Sequence, residues 1–140
     1  MTSANPPVLG GVAPYVTVSN AAKAADFYRQ AFAAHEAMRL PPDDKGRHMH
    51  IHLVVNGGSL MLCDAFPEHG HALQSPAAFM LHLQVDDADA WWTRAVVAGA
   101  QAVMPVADMF WGDRYGQVRD PFGHSWSFSH PLAKQEPQAA

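Results

Sequence analysis

The feature that most constrains this chain is a pattern that occurs twice: a strand, a capped helix, then three more strands. Val12 to Val18 reads as a strand. Ser19 or Asn20 follows as a helix cap, because a short side-chain oxygen accepts from first-turn amides. Ala21, Ala24, Ala25, Tyr28, Ala31 and Phe32 then recur at helical spacing, one buried stripe. Strands are expected at Ala37 to Leu40, Arg47 to Val55 and Ser59 to Asp64, separated by Pro41 to Gly46 and by the hairpin signal Asn56-Gly57-Gly58. A loop rich in Pro, Gly and His runs from Phe66 to Pro76.

The pattern then restarts. Phe79 to Val85 reads as a strand, and Asp86 or Asp87 as the cap of a helix bearing Ala88, Trp91, Trp92, Ala95 and Val96. Gly99 is placed to end that helix with positive φ. Ala102 to Val106, Tyr115 to Arg119 and His124 to Phe128 supply three strands, with Asp120-Pro121-Phe122-Gly123 as the turn before the last. Laying Val16 on Leu83 and Val18 on Val85 also lays Ala21 on Ala88 and Ala31 on Ala98, the signature of a duplication. The fold class is therefore α+β with two βαβββ modules, 11–66 and 78–130. A loop at 67–77 links them, and 1–10 and 131–140 read as flexible ends.

Composition narrows the partners. Apolar residues make up 49% of the 140 residues, enough for a real core. A formal charge of -4, with no run of Lys or Arg, offers no footprint for nucleic acid or an anionic membrane. No apolar stretch approaches the roughly 20 residues that span a bilayer, and Met1 to Val8 does not read as a signal peptide. A small-molecule ligand and a cytoplasmic location are expected. Cys63, the sole cysteine, cannot form an internal disulfide and reads as a buried small residue in an apolar run.

Several side-chain sets could carry chemistry. His48, His50 and His52 alternate along one expected strand, which reads as an exposed polar face, as a ligand wall or as a metal site, with His82 able to join from the second module. Ser125, Ser127 and Ser129 would share the face opposite Trp126 and Phe128, and Tyr15 and Thr17 would point inward on the first strand. Trp111 and Tyr115 suit a planar ligand or a subunit interface, and the intervening Asp113 and Arg114 an ion pair. The candidate ligand-binding residues are thus Tyr15, Thr17, His50, His52, His82, Trp111, Tyr115, Ser125 and Ser127. Glu68, His69 and His71 fall on the linking loop, which could be a plain linker or a lid.

The strings Pro14-Tyr15-Val16-Thr17-Val18-Ser19-Asn20 and Ala25-Asp26-Phe27-Tyr28-Arg29-Gln30-Ala31-Phe32 resemble the first strand and helix of the vicinal oxygen chelate superfamily. Met49-His50, Gly58-Ser59-Leu60-Met61-Leu62, Phe110-Trp111-Gly112-Asp113-Arg114-Tyr115-Gly116 and Asp120-Pro121-Phe122-Gly123-His124-Ser125-Trp126 resemble its PhnB-like subgroup. The resemblance spans about residues 11 to 130 and implies a glyoxalase/bleomycin-resistance-like fold, with curved mixed sheets around a cavity and a homodimer. It also implies a divalent-ion site on four positions, which here carry Ala13, Leu62, Met80 and Ser127, poor ligands for such an ion. The expected function is small-molecule binding of the sequestering type, without metal or other cofactor. The competing reading is a metal- or His-dependent lyase, isomerase or dioxygenase using His50, His52 or His82.

Overall fold

The computed structural model describes residues 5–133. Over these the chain forms two compact units that divide between Pro76 and Ala77. Each unit has one helix and one four-stranded mixed sheet of the same topology.

In the first unit, β1 (Tyr15–Val18) leads into α1 (Ala21–Phe32), followed by β2 (His35–Arg39), β3 (Ile51–Val55) and β4 (Gly58–Asp64). The sheet order is β1-β4-β3-β2, with β1 and β4 parallel and the other pairs antiparallel. Asn20 caps α1 by accepting from the Lys23 amide at 3.1 Å, so the sequence-derived cap is correct. All six residues of the expected helical stripe are buried. The register places Val16, Ile51, Leu53, Leu60 and Leu62 among the buried core, while Tyr15, Thr17, Met61, Cys63 and His52 alternate to the opposite face of the sheet.

Asp64 ties three segments of this unit together. One carboxylate oxygen accepts from the Ala21 amide at the start of α1 (2.8 Å), the other from the His48 amide (2.7 Å). The second bond explains the main departure from expectation. The strand foreseen over Arg47 to Val55 begins only at Ile51. Asp43 accepts from the Lys45 and Arg47 amides, and Asp64 takes the His48 amide, so the backbone here is committed to a turn. The hairpin between β3 and β4 turns at Asn56 and Gly57, both with positive φ (50° and 81°), as a tight turn between right-twisted strands requires.

The second unit repeats the plan with β5 (Leu81–Gln84), α2 (Ala88–Ala98), β6 (Gln101–Asp108), β7 (Asp113–Arg119) and β8 (Ser125–Pro131), in the order β5-β8-β7-β6. Asp87 caps α2 through the Ala90 amide, and Gly99 ends it at φ 123°. Trp126 and Phe128 pair with Leu81 and Leu83 and are buried, and Ser127 and Ser129 pair with His82 and Gln84, as the alternation predicts. Asp120 accepts from the Phe122 and His124 amides and from Trp126 Nε1, closing the turn before β8. A Cβ on Gly116 would lie 2.7 Å from Val106 Cγ2 and 3.0 Å from Trp92 Cδ1, so β7 meets its neighbours closely enough to require glycine. The edge strand β6 is largely exposed, contains Pro105 and slips register twice against β7.

Replacing Asp64 by Ala leaves two buried amides without an acceptor. That should lower unfolding free energy by about 2 kcal/mol or more, read from chemical denaturation, whereas Asp26→Ala, on the exposed side of α1, should change it by well under 1 kcal/mol.

Candidate functional site

In the first unit, the sheet face opposite the core carries a cleft of about 450 Å³, lined by Tyr15, Thr17, Met49, Cys63, Phe66, His69 and His71. Its floor comes from the register of β1 on β4, which sets Tyr15 beside Met61 and Thr17 beside Cys63. Thr17 Oγ1 lies 3.6 Å from Cys63 Sγ. Cys63 is half-buried beside this space, so the sequence-based expectation of a buried small residue is corrected: Leu60 and Leu62 pack inward, and Cys63, like Met61, faces out by strand alternation.

Part of the wall is the segment after β4. Phe66 and His71 form a two-residue bridge around a single 3-10 turn, Pro67–His69. Arg47 holds it in place. The guanidinium stands 4.3 Å from the Phe66 ring centroid and reaches both Glu68 carboxylate oxygens (3.0 and 2.6 Å), while Nε binds Asp43. The Arg47 hydrogen bond holds the Glu68 carboxyl at about 2, well below its ordinary value. The loop that the sequence left as either linker or lid is thus a tethered wall.

Of the three histidines expected in a row, His48 turns away, while the His50 and His52 rings stay neighbours with centroids 6.4 Å apart. His48 is buried, its Nδ1 against Leu40 O at 3.0 Å. His52 is 2% exposed, with Nε2 2.6 Å from Ser59 Oγ, so the exposed polar strand face is also ruled out. His50 is half-buried and sits beside Tyr15, its Nδ1 2.8 Å from the phenol oxygen. Burial, then the nearby His52, lower the His50 pKa from its ordinary value. Burial, then Cys63, raise that of Tyr15.

In the second unit, His82 Nδ1 lies 2.7 Å from Ser127 Oγ, and Nε2 lies 3.1 Å from Ser129 Oγ and 3.2 Å from Gln84 Oε1. Tyr115 stacks on His82 (centroids 6.3 Å apart, planes 17° apart), and Trp111 meets Tyr115 edge to face at 5.5 Å. Four sequence candidates therefore come together here: His82, Ser127, Tyr115 and Trp111. Ser125 is half-buried at the start of β8, opposite Arg119. The expected Asp113–Arg114 ion pair is not formed. Arg114 binds Asp89 and Asp108 instead, and Asp113 accepts from Trp111 Nε1 at 3.1 Å. Met49, Phe66, Cys63, His69 and His71 were not singled out as binding residues from sequence. The signals in the sequence were the proximity of Met49 to His50, of Cys63 to the strand face, and the place of His69 and His71 on a linking loop that could be a lid.

The register also corrects one position of the implied metal set. Leu62 packs into the core opposite Ile51 and Val16 and is 0% exposed. Val16 lies on Leu83 in the duplication, so Tyr15 corresponds to His82, and their parallel partners Met61 and Ser127 correspond to each other. The set is therefore Ala13, Met61, Met80 and Ser127. Ala13 has no donor, the two methionines offer soft thioethers, and the Ser127 hydroxyl is engaged by His82. These residues do not fit a divalent oxygen-chelating ion. Among the described residues no cluster of three or more His, Cys, Asp or Glu is placed to hold a metal.

Two βαβββ units with mixed four-stranded sheets define an α+β protein of the glyoxalase type. The chain belongs to the Glyoxalase/Bleomycin resistance protein/Dioxygenase superfamily, whose family model matches residues 9–128. It is 42% identical to an uncharacterized Mycobacterium bovis protein over 127 residues, covering 86% of this chain and 83% of that one. Among solved structures it is similar to TioX from Micromonospora sp. ML1, at 26% identity and TM-score 0.69, covering 88% of this chain and 99% of that one. A Bacillus cereus PhnB protein described as a putative 3-demethylubiquinone-9 3-methyltransferase shares the fold, at 18% identity and TM-score 0.66, covering 86% and 99%. No helix among the described residues is long and apolar enough to cross a membrane.

Cutting the tether with Arg47→Ala should speed amide exchange at Phe66, Gly70 and His71 with little change in the strands, measured by hydrogen–deuterium exchange. Because the folded Glu68 pKa is depressed, its contribution is present above the ordinary glutamate value. It is lost as pH falls from about 4.5 toward about 2, so wild type and variant should converge in acid.

Proposed function

We propose that this protein is a cytoplasmic small-molecule-binding protein that holds a planar or amphipathic compound without a metal ion, as a homodimer. The carrying observation is the cleft of about 450 Å³, a size within the range that takes drug-sized molecules, roughly 300–1,000 Å³. Its lining combines apolar and aromatic groups (Met49, Phe66, Tyr15) with a few polar ones (Thr17, His69, His71). The donor chemistry at Ala13, Met61, Met80 and Ser127 supports a ligand held by contact and hydrogen bonding rather than by chelation. In the second unit, Trp111, Tyr115 and His82 offer further aromatic surface, and Ser127 fixes the His82 ring.

A second reading, a His-dependent lyase, isomerase or dioxygenase, is favoured by one observation. His50 has a lowered pKa and a phenol hydrogen-bonded to its ring, which suits proton transfer near neutral pH.

Thermal shifts across a compound library, with and without divalent ions, separate the two. A binder is stabilised by ligand alone, by about 2.7 kcal/mol at a concentration 100 times Kd. Thr17→Phe, which puts a ring into the cleft, should abolish the shift. Stabilisation only with metal, together with turnover lost in His50→Ala or His82→Ala, would make the binding reading untenable.

A further inference from the structure

The loop after β4 sorts its side chains by charge. In its single 3-10 turn, side chains three residues apart share a face, so His69 follows Phe66 and Glu68 falls elsewhere. The Phe66 and His69 ring centroids are 6.2 Å apart. His71 is fixed opposite Phe66 by two backbone bonds, Phe66 N to His71 O at 2.7 Å and His71 N to Phe66 O at 3.0 Å. Phe66, His69 and His71 all line the cleft. Glu68 is not part of that lining, and Arg47 takes both its oxygens. The one carboxylate of the loop is thus drawn aside, and two imidazoles are left on the cleft.

The rest of the lining is Tyr15, Thr17, Met49 and Cys63, with no carboxylate among them. Burial, then Cys63, make the Tyr15 phenol hold its proton more firmly than usual, so that ring adds no negative charge. The titratable and charged groups on the elements around this space are Tyr15 on β1, Cys63 on β4, His50 beside Tyr15, and Glu68 with Arg47 and Asp43 joined to it. Elsewhere, ring nitrogens of His48, His52, His82 and His130 are committed to Leu40 O, Ser59, Ser127 and the Ala88 amide. His69 and His71 are exposed, and among the described residues neither ring has a hydrogen-bond partner.

We propose that the cleft takes a carboxylate on an apolar planar body, such as an aromatic acid, with His69 and His71 receiving the carboxylate. The inference rests on the small-molecule reading of the cleft and deepens it, by fixing the charge of the ligand. An imidazole N–H donates to a carboxylate whether the ring is neutral or cationic, and the bond strengthens when it is cationic. Arg47 already holds the turn against Phe66 and Glu68, so presenting these donors orders little new chain. The same ion pair keeps the Glu68 carboxylate from competing for the two imidazoles.

The test uses naphthoic acid and its methyl ester, a pair that differs in the negative charge, titrated calorimetrically against the full chain. At about pH 5.5, between the ordinary carboxylate and imidazole values, the acid should bind about tenfold tighter than the ester. That preference should shrink to about threefold or less at about pH 8.5, where an ordinary imidazole is neutral. Changing His69→Gln and His71→Gln together should remove the dependence on pH and keep the ester affinity. Each single change should remove part of it. His35→Gln, at an exposed histidine of β2, should leave the preference as it is. Circular dichroism checks that each variant is folded, and the wild-type comparison stands without any variant. Equal binding of acid and ester by wild type, or a pH-dependent preference that survives the double change, overturns the carboxylate and leaves the small-molecule reading intact. Binding of neither compound overturns the carboxylate too, and the absence of stabilisation by any planar compound of the library overturns the small-molecule reading with it.

Discussion

The first unit depends on one buried carboxylate. Asp64 ends β4, and its two oxygens bind the first turn of α1 and the backbone just before β3. Each bond joins segments far apart in sequence, so the carboxylate sets where the helix sits on the sheet and where β3 begins. Met49 and His50 follow directly from the segment it anchors, and Tyr15 and Thr17 lie on the strand that pairs with β4. The cleft is therefore shaped from below by a group that never touches it. In the second unit His130, at the equivalent place on β8, accepts from the Ala88 amide at the start of α2 (2.8 Å), while Asp120 gathers two turn amides and the Trp126 indole.

Duplication explains why the two sheets share a topology, and divergence explains why their open faces differ. Tyr15 and His82 occupy equivalent places, yet Tyr15 sits over Met61 beside a thiol, and His82 over Ser127 among hydroxyls. The first face became apolar and roomy. The second closed its polar groups on one another, with His82, Ser127, Ser129 and Gln84 mutually hydrogen-bonded. The equivalent positions carry Ala13, Met61, Met80 and Ser127, which supply neither carboxylates nor imidazoles.

Local signals carried the fold into the sequence. The stripe from Ala21 to Phe32, the Asn20 and Asp87 caps and the Asn56-Gly57 turn each act within a few residues, and each was legible. What stayed hidden was set by partners distant in sequence. His48 left the strand because Asp64, 16 positions on, takes its amide. Arg114 passed over its neighbour Asp113 for Asp89, 25 positions back. His52 had the right spacing for a ligand wall and was claimed by Ser59 across the hairpin. The cleft joins β1, β4 and the loop after it, so no single window of sequence contains it. Leu62 and Met61 differ by one residue, and strand alternation makes that one residue the difference between core and open face.

The outer strand of the second sheet carries a consequence for how copies of this chain can meet. β6 is an open edge, and such an edge ordinarily offers its free amides and carbonyls to a passing strand. Pro105 removes an amide from the middle of it, and the two slips in register bend the rest out of line. The ladder has no straight run to extend on that side. Growth of the sheet from molecule to molecule, the route to fibres, is thereby blocked at β6, and any stable association there has to be made by side chains meeting side chains.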